Sequence, residues 1–330
     1  MEVAYLIETI IKVVVILLVF SALAGIGTYF ERKVLAFMQR RLGPMNVGPY
    51  GLLQVAADGI KLFTKEDIIP VNVVAPVFKI APVITASTAF MAAAAIPFLP
   101  QFTLFGYTVH PIVADINIGI LYILGIMGVG LYGPLLGGMA SANKYSLLSA
   151  ARGAAVFISY EVVTGLSILA PIMMVGSLSL IDFNNYQIEN GWIVFNLYGV
   201  GFVAFILFWI AAFAETGRTP FHLIANDHEI IDGFGTEYSG MRWGLFFIGE
   251  YANMFFISFV IPLLFLGGFG DGSVFGALAL LGKVAFFFFF FLWTRAAWPD
   301  VRPDQLMWLC WKVLMPIAVV NILIAAIIMI

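Results

Sequence analysis

Residues 192–214 read WIVFNLYGVGFVAFILFWIAAFA. The stretch holds no Asp, Glu, Lys, Arg or His, and its one amide is Asn196. As a helix rising about 1.5 Å per residue it is long enough to cross the roughly 30 Å hydrocarbon core of a bilayer. Working outward, seven further stretches have the same character, near 8–30, 77–97, 112–137, 153–175, 243–267, 274–295 and 309–329. The reading is an all-α, polytopic integral membrane protein with about eight transmembrane helices. The whole chain, 1–330, forms one transmembrane domain with no soluble domain between spans and no clear internal repeat.

Composition agrees. Apolar residues make up 62% of the chain and charged residues 11%, against about 25% charged in an ordinary soluble domain. Mean hydropathy is +1.03. The net charge of −3 gives no basic footprint for nucleic acid. A single cysteine, Cys310, excludes an internal disulfide framework and a self-contained four-Cys iron–sulfur site. The start, Met1-Glu2-Val3, lacks the basic region of a cleaved signal peptide, and none is expected.

Basic residues set the orientation. The first loop, about 31–71, holds Arg32, Lys33, Arg40, Arg41, Lys61 and Lys65. Lys144 and Arg152, Arg218 and Arg242, then Arg295, Arg302 and Lys312 mark three more loops on the same side, giving 13 of 16 Lys and Arg. The opposite loops, near 98–111, 176–191 and 268–273, hold none. The positive-inside rule makes the basic side cytoplasmic and places both termini outside. Within the first loop, Leu52, Ala56, Ile60 and Phe63 recur at helical spacing, with Asp58, Lys61 and Lys65 on the other side. Residues 52–66 are too short and too charged to span, and read as an amphipathic helix lying in the interface.

Charges inside spans are expensive and point to function. Glu161 stands nine residues beyond Arg152, and Glu250 eight beyond Arg242, each roughly 12–14 Å inward from a basic anchor. Glu215 closes the fifth span near the same side, and Lys283 sits mid-span, roughly 18 Å from Arg295. Carboxylates at one depth on three helices suit proton handling, because burial and neighbouring cations pull a carboxylate's proton affinity in opposite directions. The competing reading is a set of ion pairs that fix helix packing. The acidic loop that follows, with Asp227, Glu229, Asp232 and Glu237 against Arg218 and Arg242, reads as a polar mouth leading to that layer, or as a solvated loop.

Other motifs fail in context. Gly128-Val129-Gly130-Leu131-Tyr132-Gly133 has the dinucleotide-binding spacing but lies inside an apolar span with no strand before it. Gly133 and Gly137 read instead as a small-residue helix contact. No phosphate-binding loop of the Walker type is present. His110, His222 and His228 all fall in loops, which leaves no bis-histidine haem site within the spans.

The first loop carries a resemblance. Glu31-Arg32-Lys33, Gln39-x-Arg41-x-Gly43-Pro44, and Val47-Gly48-Pro49 running on to Lys65-Glu66 closely resemble one membrane-subunit family of respiratory complex I, NADH–quinone oxidoreductase: the H subunit, also called subunit 1. Asn143-Lys144-Tyr145-Ser146, Ser159-Tyr160-Glu161, Ala214-Glu215-Thr216-x-Arg218-x-Pro220-Phe221, Glu237-Tyr238-Ser239-Gly240-Met241-Arg242 and Glu250-Tyr251 follow the same family in order. Asp304-Gln305-Leu306-Met307 and Trp311-Lys312 extend the likeness to the last span, so that it covers nearly the whole chain.

The resemblance implies a subunit at the junction of a membrane arm and a hydrophilic arm. Arg32, Gln39, Arg41, Asp58 and Phe234 take positions in a quinone chamber. Glu161, Glu215, Glu237 and Glu250 lie on a proton path, with Asp227 and Glu229 at its mouth. Arg218 and Lys283 are supporting charges, and Arg218 is expected to pair with Glu215 three residues earlier. No catalytic residue, metal or cofactor is expected on this chain. Quinone, ubiquinone or menaquinone, is the substrate, while NAD, FMN and iron–sulfur clusters belong to partner subunits. Partners are the iron–sulfur and quinone-site subunits of the hydrophilic arm, small membrane subunits, antiporter-like subunits and lipids. The implied location is the bacterial cell inner membrane, with periplasmic termini. The sequence departs from the family pattern in several places: His222 and Ala225 replace acidic residues, Asp300 stands where a basic residue is usual, and Met45-Asn46 replaces the usual Asn-first pair after Gly43-Pro44. A related membrane-bound hydrogenase or F420H2 dehydrogenase subunit is the alternative, and a stand-alone proton-coupled transporter a more distant one.

Overall fold

The computed structural model describes residues 2–104, 107–109, 111–224 and 231–329. Among the described residues, eight helices, or helix pairs in line, are long and apolar enough to cross a membrane. They are α1 (Glu2–Met38), α3 (Ala75–Ala92), α4 with α5 (Gly119–Gly130 and Tyr132–Ala140), α6 (Lys144–Val175), α8 (Val200–Glu215), α9 (Gly240–Phe265), α10 (Val274–Ala297), and α11 with α12 (Pro303–Leu309 and Met315–Met329). Shorter helices α2 (Gln54–Thr64) and α7 (Leu180–Asn190) lie between them, and two three-residue strands, Phe102–Leu104 and Tyr107–Val109, pair antiparallel. The expectation of an all-helical, eight-span protein holds, and the helices place it in a membrane.

Span ends differ from the hydropathy estimate in two informative places. The first helix runs to Met38 rather than stopping near 30, which puts Glu31 inside a helix. The fourth begins at Lys144, where the Asn143 side chain accepts a hydrogen bond from the Tyr145 amide at 2.9 Å. It ends at Gly176, whose φ of 72° suits glycine.

Two spans are interrupted. Pro134 has no N–H to give the carbonyl four residues back, and the third span breaks at Leu131 between α4 and α5. In the last span a π-helical turn, Cys310–Leu314, joins α11 to α12, and Trp311 donates its indole N–H to Ser159 Oγ at 3.0 Å.

Helix α9 is the axis of the bundle. In its most apolar stretch 72% of residues are buried, against 17% for α1. It packs along α3, while α6 packs along α8. Small residues permit the close approaches. A Cβ on Gly133 would lie 1.9 Å from Thr85 Oγ1 of α3, and one on Gly137 would lie 3.1 Å from the Tyr238 hydroxyl. The glycine run in the third span is therefore a packing surface, as its context implied.

Helix α2 is tied to α1 by Arg32, which reaches Asp58 Oδ2 at 2.7 Å, while Gln54 donates to Asp58 Oδ1 at 3.0 Å. Its apolar residues Ile60 and Phe63 are exposed in this chain.

Candidate functional site

A buried ion cluster lies where α1, α9, α10 and the segment after α8 converge. Helix α8 ends at Glu215, and Gly217 turns the chain at φ +61°. Arg218 is thereby carried back into the protein, where it is 1% exposed. Its NH1 lies 2.8 Å from Glu31 Oε2, and its Nε lies 3.1 Å from Glu250 Oε1. Tyr251 donates its hydroxyl to Glu31 Oε2 at 2.6 Å and places its ring 4.6 Å from the guanidinium. Arg295 of α10 closes the cluster on Glu31 Oε1.

The charges justify one another. An unpaired ion at this depth would cost several kcal/mol. Burial alone would lower the proton affinity of Arg218, but Glu250 and Glu31 hold it above its ordinary value, so the guanidinium stays charged. One carboxylate, Glu31, accepts from two arginines and a phenol. The other, Glu250, is held on one side only; its side chain is 30% exposed.

That exposed side of Glu250 lines a cavity of about 80 Å³. Glu215, His222, Asn253, Thr85 and Phe234 line it as well. The volume is enough for two or three waters at roughly 30 Å³ each. Asn253 is partly buried and its Oδ1 has no partner among the described residues, so a polar occupant has an acceptor to bind. Glu161 of α6 stands beside this region. A Cβ on Gly128 of α4 would lie 2.4 Å from Glu161 Oε1, so the glycine makes room for the carboxylate. Its neighbour in the chain, Tyr160, has a buried hydroxyl with no hydrogen-bond partner among the described residues.

The residues singled out from sequence fall into separate groups. Glu215 and Glu250 share the cavity, and Phe234 lines it with them, whereas Arg32 and Arg41 do not. Arg32 joins Asp58, and Arg41 Nε donates to Gln39 Oε1 at 2.7 Å. Glu237 accepts from Asn143 Nδ2 at 2.7 Å. Asp227 and Glu229, with Ala225, lie outside the described residues.

Two expectations are corrected. Arg218 pairs with Glu31 and Glu250, not with Glu215, because the helix stops at Glu215 and the next turn aims the arginine at other helices. Lys283 does not join the carboxylate layer. Its ammonium reaches the far end of α9, donating to the carbonyls of Leu266 at 2.6 Å and Gly268 at 3.2 Å, with the Trp192 ring 5.0 Å away.

The sequence alone does not single out Glu31, Tyr251 or Asn253 as site residues, and it marks Arg295 only as a basic residue of the loop side. Glu31 was the recoverable one, since it sits one residue beyond an apolar run that continues as helix. A pairing across 187 positions leaves no local signal.

A sequence profile of the NADH dehydrogenase family matches residues 11–326. The chain belongs to this family. It is 86% identical to the H subunit of NADH-quinone oxidoreductase from Sulfurimonas denitrificans over the full length of both chains. It is 66% identical to the protein of the same name from Nitratiruptor sp., covering 100% of this chain and 99% of the relative. Identity is 63% to that of Wolinella succinogenes, over 99% of each. The family resemblance read from the first loop therefore extends through the ion cluster and the cavity.

Proposed function

We propose that this chain is a membrane subunit of a proton-pumping NADH–quinone oxidoreductase, placed where quinone chemistry meets the charge path. In this reading Arg32, Gln39, Arg41 and Asp58 border the quinone chamber, and Phe234 forms the wall it shares with the glutamate cavity. Glu161, Glu215, Glu237 and Glu250, with Asp227 and Glu229 nearer the aqueous side, form the path inward. NAD, FMN and iron–sulfur chemistry belongs to partner subunits of the hydrophilic arm. Small membrane subunits and antiporter-like subunits continue the path. The setting is the bacterial inner membrane, with both termini periplasmic.

One observation carries this reading: Arg218, on the segment after α8, holds both Glu31 and Glu250, and Glu250 opens on the cavity shared with Glu215. A shift of that segment changes the cation beside Glu250 and hence the carboxylate's readiness to hold a proton. A structural ion cluster alone has no use for the polar cavity or for the second carboxylate in it. The test is the assembled complex carrying Glu161→Gln or Glu250→Gln. Assembly is retained and inhibitor-sensitive quinone turnover falls. Wild-type turnover in an assembled variant contradicts the proposal. The relatives named above all carry the oxidoreductase name, which favours this reading over a hydrogenase-type complex.

A further inference from the structure

Among the described residues, three cations at the loop end of α1 have no carboxylate partner: Lys33, Arg40 and Arg41. Lys33 touches only neutral groups, with Met45 Sδ 3.1 Å from its ammonium and the Tyr29 ring at 5.6 Å. Arg41 is held by the neutral amide of Gln39. Arg40 and Arg41 border one hollow, and Lys33 and Arg41 the next.

These cations stand over an apolar groove. The hollow beside Lys33 and Arg41 has a volume of about 600 Å³ and is walled by Phe37, Leu42, Phe289 and Trp293. Phe37 is 85% exposed and Leu42 82%. Val34 and Phe289 also line a second hollow of about 340 Å³, which continues between α1, α9 and α10 as far as Leu23. Val34 to Leu23 along α1 is about 16 Å. That is close to the depth of one leaflet's hydrocarbon, about half of 30 Å. The groove's lining is almost wholly apolar, from Phe30 through Phe255 to Phe288.

We propose that this groove is a binding site for one anionic phospholipid of the leaflet on the basic side. Its phosphate sits among Lys33, Arg40 and Arg41, and an acyl chain lies along α1 and α10 past Val34, Phe289 and Ala285. Charge decides the occupant. An uncharged quinone head leaves three cations uncompensated, whereas a phosphate headgroup neutralises them and carries chains that match the groove's depth. A lipid there also fills the gap between α1 and α10, whose polar tie is Arg295 on Glu31. The site shares one residue with the quinone assignment. Arg41 has a place in that assignment but Lys33 and Arg40 do not, and the test rests on them.

The experiment uses the intact complex in nanodiscs containing a trace of phosphatidylglycerol with a diazirine in one acyl chain. After irradiation, adducts are mapped by peptide mass spectrometry. Labelling is expected on the α10 peptide around Phe289 and on α1 around Phe30. Lys33→Gln with Arg40→Gln lowers it about fivefold or more. Ala285→Phe, which narrows the groove and leaves the cations intact, lowers it as well. A phosphatidylcholine probe of the same chain labels correspondingly less. Equal labelling by the zwitterionic probe, or labelling indifferent to both variants, overturns the proposal. So does crosslinking of Phe289 or Trp293 to a helix of a neighbouring subunit, which makes the groove a protein contact.

Discussion

Arg218 and Glu31 meet at 2.8 Å although 187 positions separate them, and both are almost fully buried. The contact closes α1 onto the segment after α8 and leaves the other edge of the same guanidinium for Glu250. A structural pin and a responsive charge are thus one group.

Arg218→Ala leaves buried Glu31 and partly exposed Glu250 with too little positive charge. Breaking a buried pair costs about 3–5 kcal/mol. The complex is expected to assemble poorly, with most of the chain lost from the high-mass band on a native gel. Adding Glu31→Gln, which removes one of the stranded charges, recovers part of the assembled fraction. Normal assembly of the single variant contradicts the pairing.

Gly128→Ala puts a methyl group where Glu161 Oε1 now lies, 2.4 Å from the new carbon. The obstacle is the end of a side chain, so the helix tolerates the change and alanine favours it locally. Assembly is retained, while turnover falls by about tenfold, ~1.4 kcal/mol on the barrier. Unchanged turnover means that the position of Glu161 is immaterial.

Lys283→Met removes the donor from the carbonyls of Leu266 and Gly268 at the far end of α9. Leaving buried acceptors unpaired costs about 1–3 kcal/mol. Thermal stability of the complex drops, yet the pH profile of turnover keeps its shape, because Lys283 lies away from the carboxylates. A shifted profile returns the lysine to the path.

Arg32→Ala cuts the tie from α1 to α2 at Asp58. For a partly exposed pair the stability effect is small, about 0.2–1 kcal/mol. The chamber assignment predicts a weaker response to quinone-site inhibitors with little change in assembly, read by inhibitor titration. An identical titration removes Arg32 from the chamber.

All eight spans were legible because a 20-residue apolar run has few other uses. Their ends were not. The run at 8–30 gives no hint that the helix continues to Met38, since Glu31, Arg32 and Lys33 look like a loop until partners for Glu31 are known. Glu215 and Glu250 were recognisable as costly charges at similar depth. Their meeting in one cavity depends on how α8 and α9 pack, which hydropathy does not record. Lys283 was misread because depth along a helix is not depth of the charge. A long side chain carries its ammonium several ångströms toward whichever end offers acceptors. The spacing of three residues between Glu215 and Arg218 counts only within a helix, and the helix ends at Glu215 before Gly217 turns the chain.

In the proposed function Glu250, held by Arg218 and open to the Glu215 cavity, links quinone reduction to charge movement. The most direct measurement is the number of protons translocated per quinone reduced, in liposomes containing the complex with Glu250→Gln. An assembled complex is expected, with inhibitor-sensitive turnover lowered about tenfold and proton translocation reduced at least in proportion. Wild-type turnover together with a wild-type proton ratio would contradict it.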